Sequence, residues 1–399
     1  MEVWKIKFGH ITDCHLGGWR QPELLKLNTE YFRYSVDNCI EEKVDFILFA
    51  GDLFDSAFPP IETLKETFYE FKKIKEAGIK CYIIAGSHDF SVSGKTFLDV
   101  IEKAGFCEIC KYEENEERVL LKPIKHQNFL IYGYPGKKSG LEIPSLKKLK
   151  INENYSDGFR ILMLHTTIKN VTEKIPVESI SLEELPKADY YALGHVHIDF
   201  EYIHEGKPVI YGGPTFPNNF NELQELKEGC FYIIDVEGYT KVTKRKIKLK
   251  EILYFEFEIE DAFSAYQKII EYLNEKDLKD KIVLLRLFGI LKKGKNSDIN
   301  FQDIEIFMKN KEVYSFLKNT SKLEQEKTAE LKIEIQSKEV EKLEEILIKR
   351  YDKENPSEFN HLIFQLMDSL NLEKQEAETN LTFEKRLLSE LNKVLNVNL

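Results

Sequence analysis

Two short, largely apolar runs restrict the fold of this chain more than anything else in it. Phe46–Ala50 reads FILFA, and Lys80–Ala85 reads KCYIIA. Runs this short, without polar alternation, suit strands covered on both faces, as in a parallel sheet. Lys5–Thr12 precedes them as an alternating segment. Between the runs lie Leu27–Lys43 and Pro60–Ala77, both with helical spacing. In the second, Ile61, Leu64, Phe68, Phe71 and Ile74 recur three or four apart. Gly78 stands where a helix C-terminus favours glycine. The spacing predicts a βαβαβ opening and an α/β fold with a parallel sheet.

After Val119 the pattern becomes strand-rich. Val119–Ile124, Phe129–Tyr134, Phe159–His165, Tyr190–Leu193, Lys207–Tyr211 and Cys230–Val236 read as strands with few helices between them. A second sheet packed on the first follows. Residues 251–320 read as a smaller α/β unit: a strand at Tyr254–Ile259, a helix at Ala262–Leu273, a strand at Ile282–Phe288 and a helix at Ile299–Lys309. All 20 glycines lie at or before Gly294, so the remaining tail is free to be helical. From about residue 330 apolar residues repeat at three or four, as in Val340, Leu343, Leu347 and Tyr351, and again in Phe383, Leu387 and Leu391. Pro356 and the polar stretch 371–380 separate the pieces. The expected units are residues 1–248, 249–325 and 326–399.

Composition narrows the function. Lys and Arg number 57 against 68 Asp and Glu, a formal net charge of −11. That excludes a protein that coats nucleic acid through bulk positive charge, while leaving a local site open. The apolar runs are far below the roughly 18 residues that span a membrane, and Met1–Lys7 has no signal-peptide apolar core. The six cysteines show no secreted framework, and Cys107-Glu108-Ile109-Cys110 lacks a second ligand pair for a zinc site. The expectation is unligated thiols in a reducing, cytoplasmic setting.

Metal-capable side chains follow the apolar runs in five places. They are Asp13-Cys14-His15, Gly51-Asp52-Leu53-Phe54-Asp55, Gly86-Ser87-His88-Asp89, His165, and Gly194-His195-Val196-His197. Any one alone is an ordinary turn or a packed histidine. Together they use five of the nine histidines, each just past a strand, where α/β folds gather their ligand sites. His10 falls within the first strand and reads as a packing residue. In DxH and HxH, residues one apart share a face of an extended segment and can serve one ion or straddle two. A carboxylate can bridge ions about 3.5–4 Å apart, and Asp52 is the expected bridge. Mixed His/Asp ligation suits manganese, iron or zinc better than calcium or magnesium. Manganese is the expected cofactor, with Fe2+, Zn2+ and Mg2+ as alternatives. Two such ions can activate water and neutralise charge in phosphoester hydrolysis.

The order D-x-H, G-D-x-x-D, G-x-H-D, H, G-H-x-H across residues 13–197 resembles the calcineurin-like metallophosphoesterase superfamily. The resemblance implies a four-layer αββα sandwich. It implies that Asp13, His15 and His197 serve one metal, that Asp52 bridges, and that His165, His195 and the Ser87 position serve the second. It makes His88 the histidine that contacts the scissile phosphate as general acid, oriented by Asp89. HITDCHLG, FAGDLFD and IVLLRLFGILKKG further resemble the DNA double-strand-break repair nucleases of the meiotic-recombination-11 or SbcD type. That likeness implies a capping domain, DNA as substrate, a homodimer, and a C-terminal helical segment (residues 330–399) docked on an SMC-like ABC ATPase of the SbcC type.

Two positions depart from the family pattern. Ser87 stands where the family has asparagine, a stronger neutral ligand than a hydroxyl. Asp55 stands where the nucleases often have histidine. One basic strip, Lys241–Lys250, interrupts the acidity. If it is a strand, Lys244, Lys246, Lys248 and Lys250 share a face, either tracking phosphates or guarding a sheet edge. Residues 321–399 hold 12 basic and 17 acidic residues, a charge better suited to a protein partner than to DNA. The same metals would also serve a small-molecule or nucleotide phosphodiesterase, and a weakened second site would leave a scaffold.

Overall fold

A computed structural model describes residues 5–91, 94–137, 142–151, 158–169, 178–326, 360–370, 372 and 380–395. The chain opens with β1 (Lys5–Ile11), α1 (Pro22–Glu41), β2 (Phe46–Ala50), α2 (Ile61–Glu76), β3 (Lys80–Ile84), α3 (Leu98–Lys103) and β4 (Glu108–Ile109). It continues through β5 (Tyr112–Glu114), β6 (Val119–Leu121), β7 (Ile124–His126), β8 (Phe129–Tyr134), α4 (Ile143–Leu146), β9 (Leu149–Ile151) and β10 (Phe159–His165). Then come β11 (Tyr190–Gly194), β12 (Asp199–His204), β13 (Lys207–Gly212), α5 (Phe220–Leu226), β14 (Gly229–Glu237) and β15 (Tyr239–Ile247). The smaller unit holds β16 (Ile252–Glu258), α6 (Ala265–Leu273), β17 (Ile282–Leu291), α7 (Phe301–Asn310) and β18 (Ser315–Gln325). Two further helices are α8 (Ile363–Leu370) and α9 (Asn380–Leu395).

Two six-stranded sheets form the centre, in the orders β15-β14-β1-β2-β3-β4 and β12-β13-β11-β10-β8-β7. β1 through β4 pair in parallel, as do β8, β10, β11 and β13. Every residue of β2 is buried, as a strand covered on both faces requires. Between the sheets lie Phe8, Phe46, Tyr82 and Ile84 from one side and Phe129, Ile161, Met163 and Tyr190 from the other. On the outer face of the first sheet pack α1, α2 and α3. The outer face of the second carries α4, a 3₁₀ turn at Leu182–Glu184 and the small sheet β5-β6-β9. This is the expected α/β arrangement of four layers, with the fourth built of short pieces.

α2 packs on the expected face except at its first turn. Phe71 and Ile74 meet the sheet, and Leu64 and Phe68 also lie against the core, but Ile61 is 74% exposed. Thr63, Thr67 and Glu70 are buried too, because this side also faces α1, where Arg33 Nε donates to Glu70 at 2.8 Å.

The strands β16, β17 and β18 are all parallel and enclose their own core with α6 and α7. β18, polar and half-exposed, gave no strand signal in the sequence. Ile252, Ile282, Leu284 and Leu317 of this unit also join Leu27, Phe216 and Leu223 on the helical side of the first sheet. The repeat at Val340–Tyr351 lies outside the described residues; α9 falls where Phe383, Leu387 and Leu391 predicted a helix. Among the described residues no helix is long and apolar enough to cross a membrane.

Candidate metal centre

The functional side chains hang from the loops after β1, β2, β3, β10 and β11, at the C-terminal edge shared by both sheets. Backbone bonds tie the first two loops together: Asp13 N donates to Gly51 O at 3.1 Å, and His15 N to Asp52 O at 3.0 Å. The extended geometry expected for DxH and HxH is not what forms. Asp13, His15, Asp52, His195 and His197 have φ of 49°, 43°, 48°, 99° and 51°. Left-handed residues turn these loops inward, a strain that persists where surroundings over-determine it and that gathers at functional sites. The motif glycines have a steric reason. A Cβ on Gly51 would lie 2.3 Å from His165 Nδ1, and one on Gly86 would lie 2.2 Å from Asp52 Oδ1.

Three groups of ligand atoms result, each within 4.8 Å: Asp13, His15, Asp52 and His197; Asp52, His165 and His195; and, at the rim, His15, Asp55 and His88. Asp52 belongs to the first two. Its Oδ2 lies 3.6 Å from His15 Nε2 and 3.1 Å from His165 Nε2, while its Oδ1 accepts from His88 N at 2.8 Å. Asp13 accepts from His195 N at 3.0 Å and lies 3.7 Å from His197 Nε2. Ser87 Oγ donates to Asp52 Oδ2 at 3.4 Å. Asp13, His15, Asp52 and His165 are at most 1% exposed.

Carboxylates buried this deeply require positive partners. Burial opposes a charge on His165, but Asp52 beside it wins and raises its pKa to about 10. Burial likewise opposes a charge on His197, but Glu222 and Asp13 raise it to about 9. Asp52, despite its own burial, is held below the usual carboxylate range by His165 and His15. Burial and the charge of His165 lower His195.

The donor set itself asks for a cation. His15 Nδ1 is 3.1 Å from Asp55 Oδ1, and His197 Nδ1 is 2.9 Å from Glu222 Oε1. A carboxylate only accepts, so each Nδ1 carries the hydrogen. The two Nε2 atoms face each other at 2.8 Å, and in neutral rings both would present lone pairs. Two imidazole lone pairs converging with two carboxylates fit a divalent metal that takes mixed nitrogen and oxygen ligands. His88 stands at the rim, exposed, its ring 4.7 Å from that of His15. Its Nδ1 is 2.9 Å from the Asp55 carbonyl oxygen.

Residues 6–199 match the family model described as calcineurin-like phosphoesterase. This segment is a calcineurin-like phosphoesterase domain. Over a longer span the chain is similar to archaeal proteins named DNA double-strand break repair protein Mre11. The one from Archaeoglobus fulgidus is 25% identical over 306 residues, covering 71% of this chain and 68% of that protein. The one from Methanocaldococcus jannaschii is 29% identical over 286 residues, covering 68% and 75%. The Sulfurisphaera tokodaii protein is 31% identical over 252 residues, covering 60% and 58%.

Within the phosphoesterase domain, all seven expected ligand positions converge, Ser87 included. Asp89 does not take its expected role. Its buried carboxylate accepts from Gly86 N at 2.8 Å, Phe54 N at 3.0 Å and Leu53 N at 3.3 Å, bracing the loops after β2 and β3. Burial and the charge of Asp52 push its pKa up to about 7. His88 leans on Asp55 instead, because the turn sends residue 88 outward and residue 89 inward. His10 is fully buried, with Nδ1 3.0 Å from Tyr190 Oη, outside the site as expected.

Only part of the basic strip is a strand. β15 ends at Ile247, so Lys248 and Lys250 do not continue its face. Lys244 pairs with Asp199, Lys246 with Glu228 at 2.6 Å, and Lys250 with Asp280. Lys244, Lys246 and Lys250, each paired with a carboxylate, do not form a row of free cations, and β15 stands at a sheet edge, where lysines suit an exposed strand.

Sequence reasoning missed Glu222 and Asn218, and took Asp55 only as a departure. Asn219 caps α5, accepting from Asn221 N and Glu222 N at 3.0 Å each. The N-x-x-E spacing from 219 to 222 signals such a helix start. No local signal says that Glu222 also reaches His197.

Proposed function

We propose that the chain is a divalent-metal-dependent nuclease that hydrolyses DNA phosphodiester bonds during end processing and double-strand-break repair. The observation that carries this reading is the pair of ligand groups joined through buried Asp52, with exposed His88 beside them. The name shared by the archaeal relatives supports DNA as the substrate. Two divalent ions, manganese by preference, would supply Lewis-acid binding of phosphate oxygens and activation of a water at neutral pH. Asp13, His15 and His197 would hold one, His165, His195 and Ser87 the other, and Asp52 both.

His88 supplies the proton. Its Nδ1 donates to the Asp55 carbonyl, which fixes the ring and leaves Nε2 to carry a proton to the substrate. As the P–O bond breaks, that proton passes to the leaving oxygen. Asp89 acts at one remove, holding the loop from which His88 and Ser87 project.

The reading extends to partners. None of the described apolar residues of α8 and α9 is fully buried: Leu366, Phe383 and Leu387 are partly exposed, and Met367, Leu370 and Leu388 are exposed. A helix pair that leaves Met367, Leu370 and Leu388 exposed suits docking on the coiled-coil base of an SMC-like ATPase. Homodimerisation through helices of the phosphoesterase domain belongs to the same reading.

The test is cleavage of end-labelled linear duplex and single-stranded DNA with manganese. Asp52→Ala and His88→Ala should each lower the rate at least about 100-fold. Undiminished cleavage in both variants would remove the site assignment. Fast hydrolysis of small phosphodiesters without DNA cleavage would shift the substrate class to small molecules.

A further inference from the structure

The two halves of the centre are braced differently. In the first half, both histidines are backed by carboxylates: Asp55 on His15 at 3.1 Å, Glu222 on His197 at 2.9 Å. Asn218 ties these carboxylates to each other. Its Nδ2 donates to Asp55 Oδ1 at 3.1 Å, and its backbone N donates to Glu222 Oε2 at 2.8 Å. Glu222 is further fixed by its place in the first turn of α5, where Asn219 Nδ2 donates to Oε1 at 2.5 Å. In the second half, His165 Nδ1 makes its hydrogen bond to a neutral carbonyl, Ala50 O at 2.9 Å, with the nearest carboxylate oxygen, Asp13 Oδ1, farther off at 4.0 Å, and the remaining ligand position is the serine hydroxyl of Ser87.

A carboxylate behind an imidazole raises the basicity of its outer nitrogen and fixes the ring; losing such a partner typically weakens metal binding about 10–100-fold. A carbonyl does this less, because it carries no charge. We propose that Asp55 and Glu222, clamped together by Asn218, are positioning residues that make the Asp13–His15–His197 half the tight half of the centre. The centre therefore loads in order, this half first and the Asp52–His165–His195–Ser87 half second. The proposal rests on the metal-centre reading above. It assigns Asp55 a structural duty that explains why an acid works at this position: Nδ1 of His15 needs an acceptor.

The experiment is a Mn2+ titration of the metal-free full chain, followed by the loss of the free-ion electron paramagnetic resonance signal and by calorimetry. Wild type is expected to bind two ions in resolved steps, with spin coupling between ions appearing only in the second. Asp55→Asn and Glu222→Gln, which keep side-chain size, should each weaken the first step by about 10–100-fold and merge it with the second. Asn218→Ala should weaken the first step by less, because both carboxylates remain. Circular dichroism checks that each variant folds, and any one of the three suffices for the test. Two ions bound with equal affinity in wild type, or variants that move both steps alike, would overturn the proposal. A wild-type chain that binds no Mn2+ would overturn the metal-centre reading itself, a distinct outcome.

Discussion

Ser87 stands where the family pattern has asparagine, and its hydroxyl donates to Asp52 Oδ2, 3.4 Å away. Ser87→Asn restores a longer side chain with a stronger neutral oxygen. It is expected to tighten the second metal-binding step by roughly tenfold, the scale on which ligand surroundings act, while leaving the first step unmoved; calorimetry with Mn2+ checks both. One residue on, His88 separates chemistry from binding. His88→Asn should lower DNA turnover by about 10²–10⁴-fold yet keep the wild-type manganese content per chain. Loss of bound metal in this variant would make His88 a ligand rather than an acid.

The loops after β2 and β3 show how an element carries a site. Gly86 keeps an ordinary φ, so alanine there meets only steric conflict, its Cβ 2.2 Å from Asp52 Oδ1 and 2.3 Å from Asp52 N. Gly86→Ala should destabilise the metal-free chain by about 1–3 kcal/mol, as overpacking does, and displace the Asp52 carboxylate. Gly78 is the contrast: φ is +77° and nothing lies within 4 Å. Gly78→Ala should cost about 1–2 kcal/mol of left-handed backbone strain and leave metal binding intact. Denaturant unfolding and Mn2+ binding, measured on both, distinguish a glycine that shapes the site from one that ends a helix.

Across the whole molecule, protons and metal compete for the same centre. The folded pKa values of about 10 for His165 and 9 for His197 lie above the unfolded value of about 6.5. The stabilisation they give the metal-free protein is complete below about 6.5 and is lost as pH rises toward 9 and 10. Its melting temperature should therefore fall over that range. Metal uptake at pH 7 should release about two protons, read by calorimetry in buffers of different ionisation enthalpy. At fixed manganese, activity should decline as pH falls, because protons then hold the ligands.

The smaller unit enters the same balance. Arg286, 6% exposed, donates to Asn221 Oδ1 at 2.7 Å and Gln224 Oε1 at 2.9 Å and lies over Phe220. It thus holds α5, the helix that carries Glu222. Arg286→Ala should lower stability by about 1.5–3 kcal/mol, the scale of hydrogen bonds made by charged groups. The same change should weaken the first Mn2+ step, although Arg286 touches no ligand.

The sequence by itself determined the alternation of strands and helices and the ligand types. Buried parallel strands must be continuously apolar, and a mixed nitrogen and oxygen ligand set draws mainly on His and Asp, so both leave local signatures. Asp13, His15, Asp52, His165, His195 and His197 were legible on that ground. Only the tertiary structure decided what lies behind them. Asp55, Asn218 and Glu222 are brought together from the loop after β2 and the start of α5, up to 167 positions apart. A hydrogen bond between such distant side chains has no periodicity or spacing to announce it. The same holds for the basic strip, where the lysines are plain in the sequence and the carboxylates that neutralise them are not. Local chemistry chose the ligands, and long-range packing chose which atoms they face.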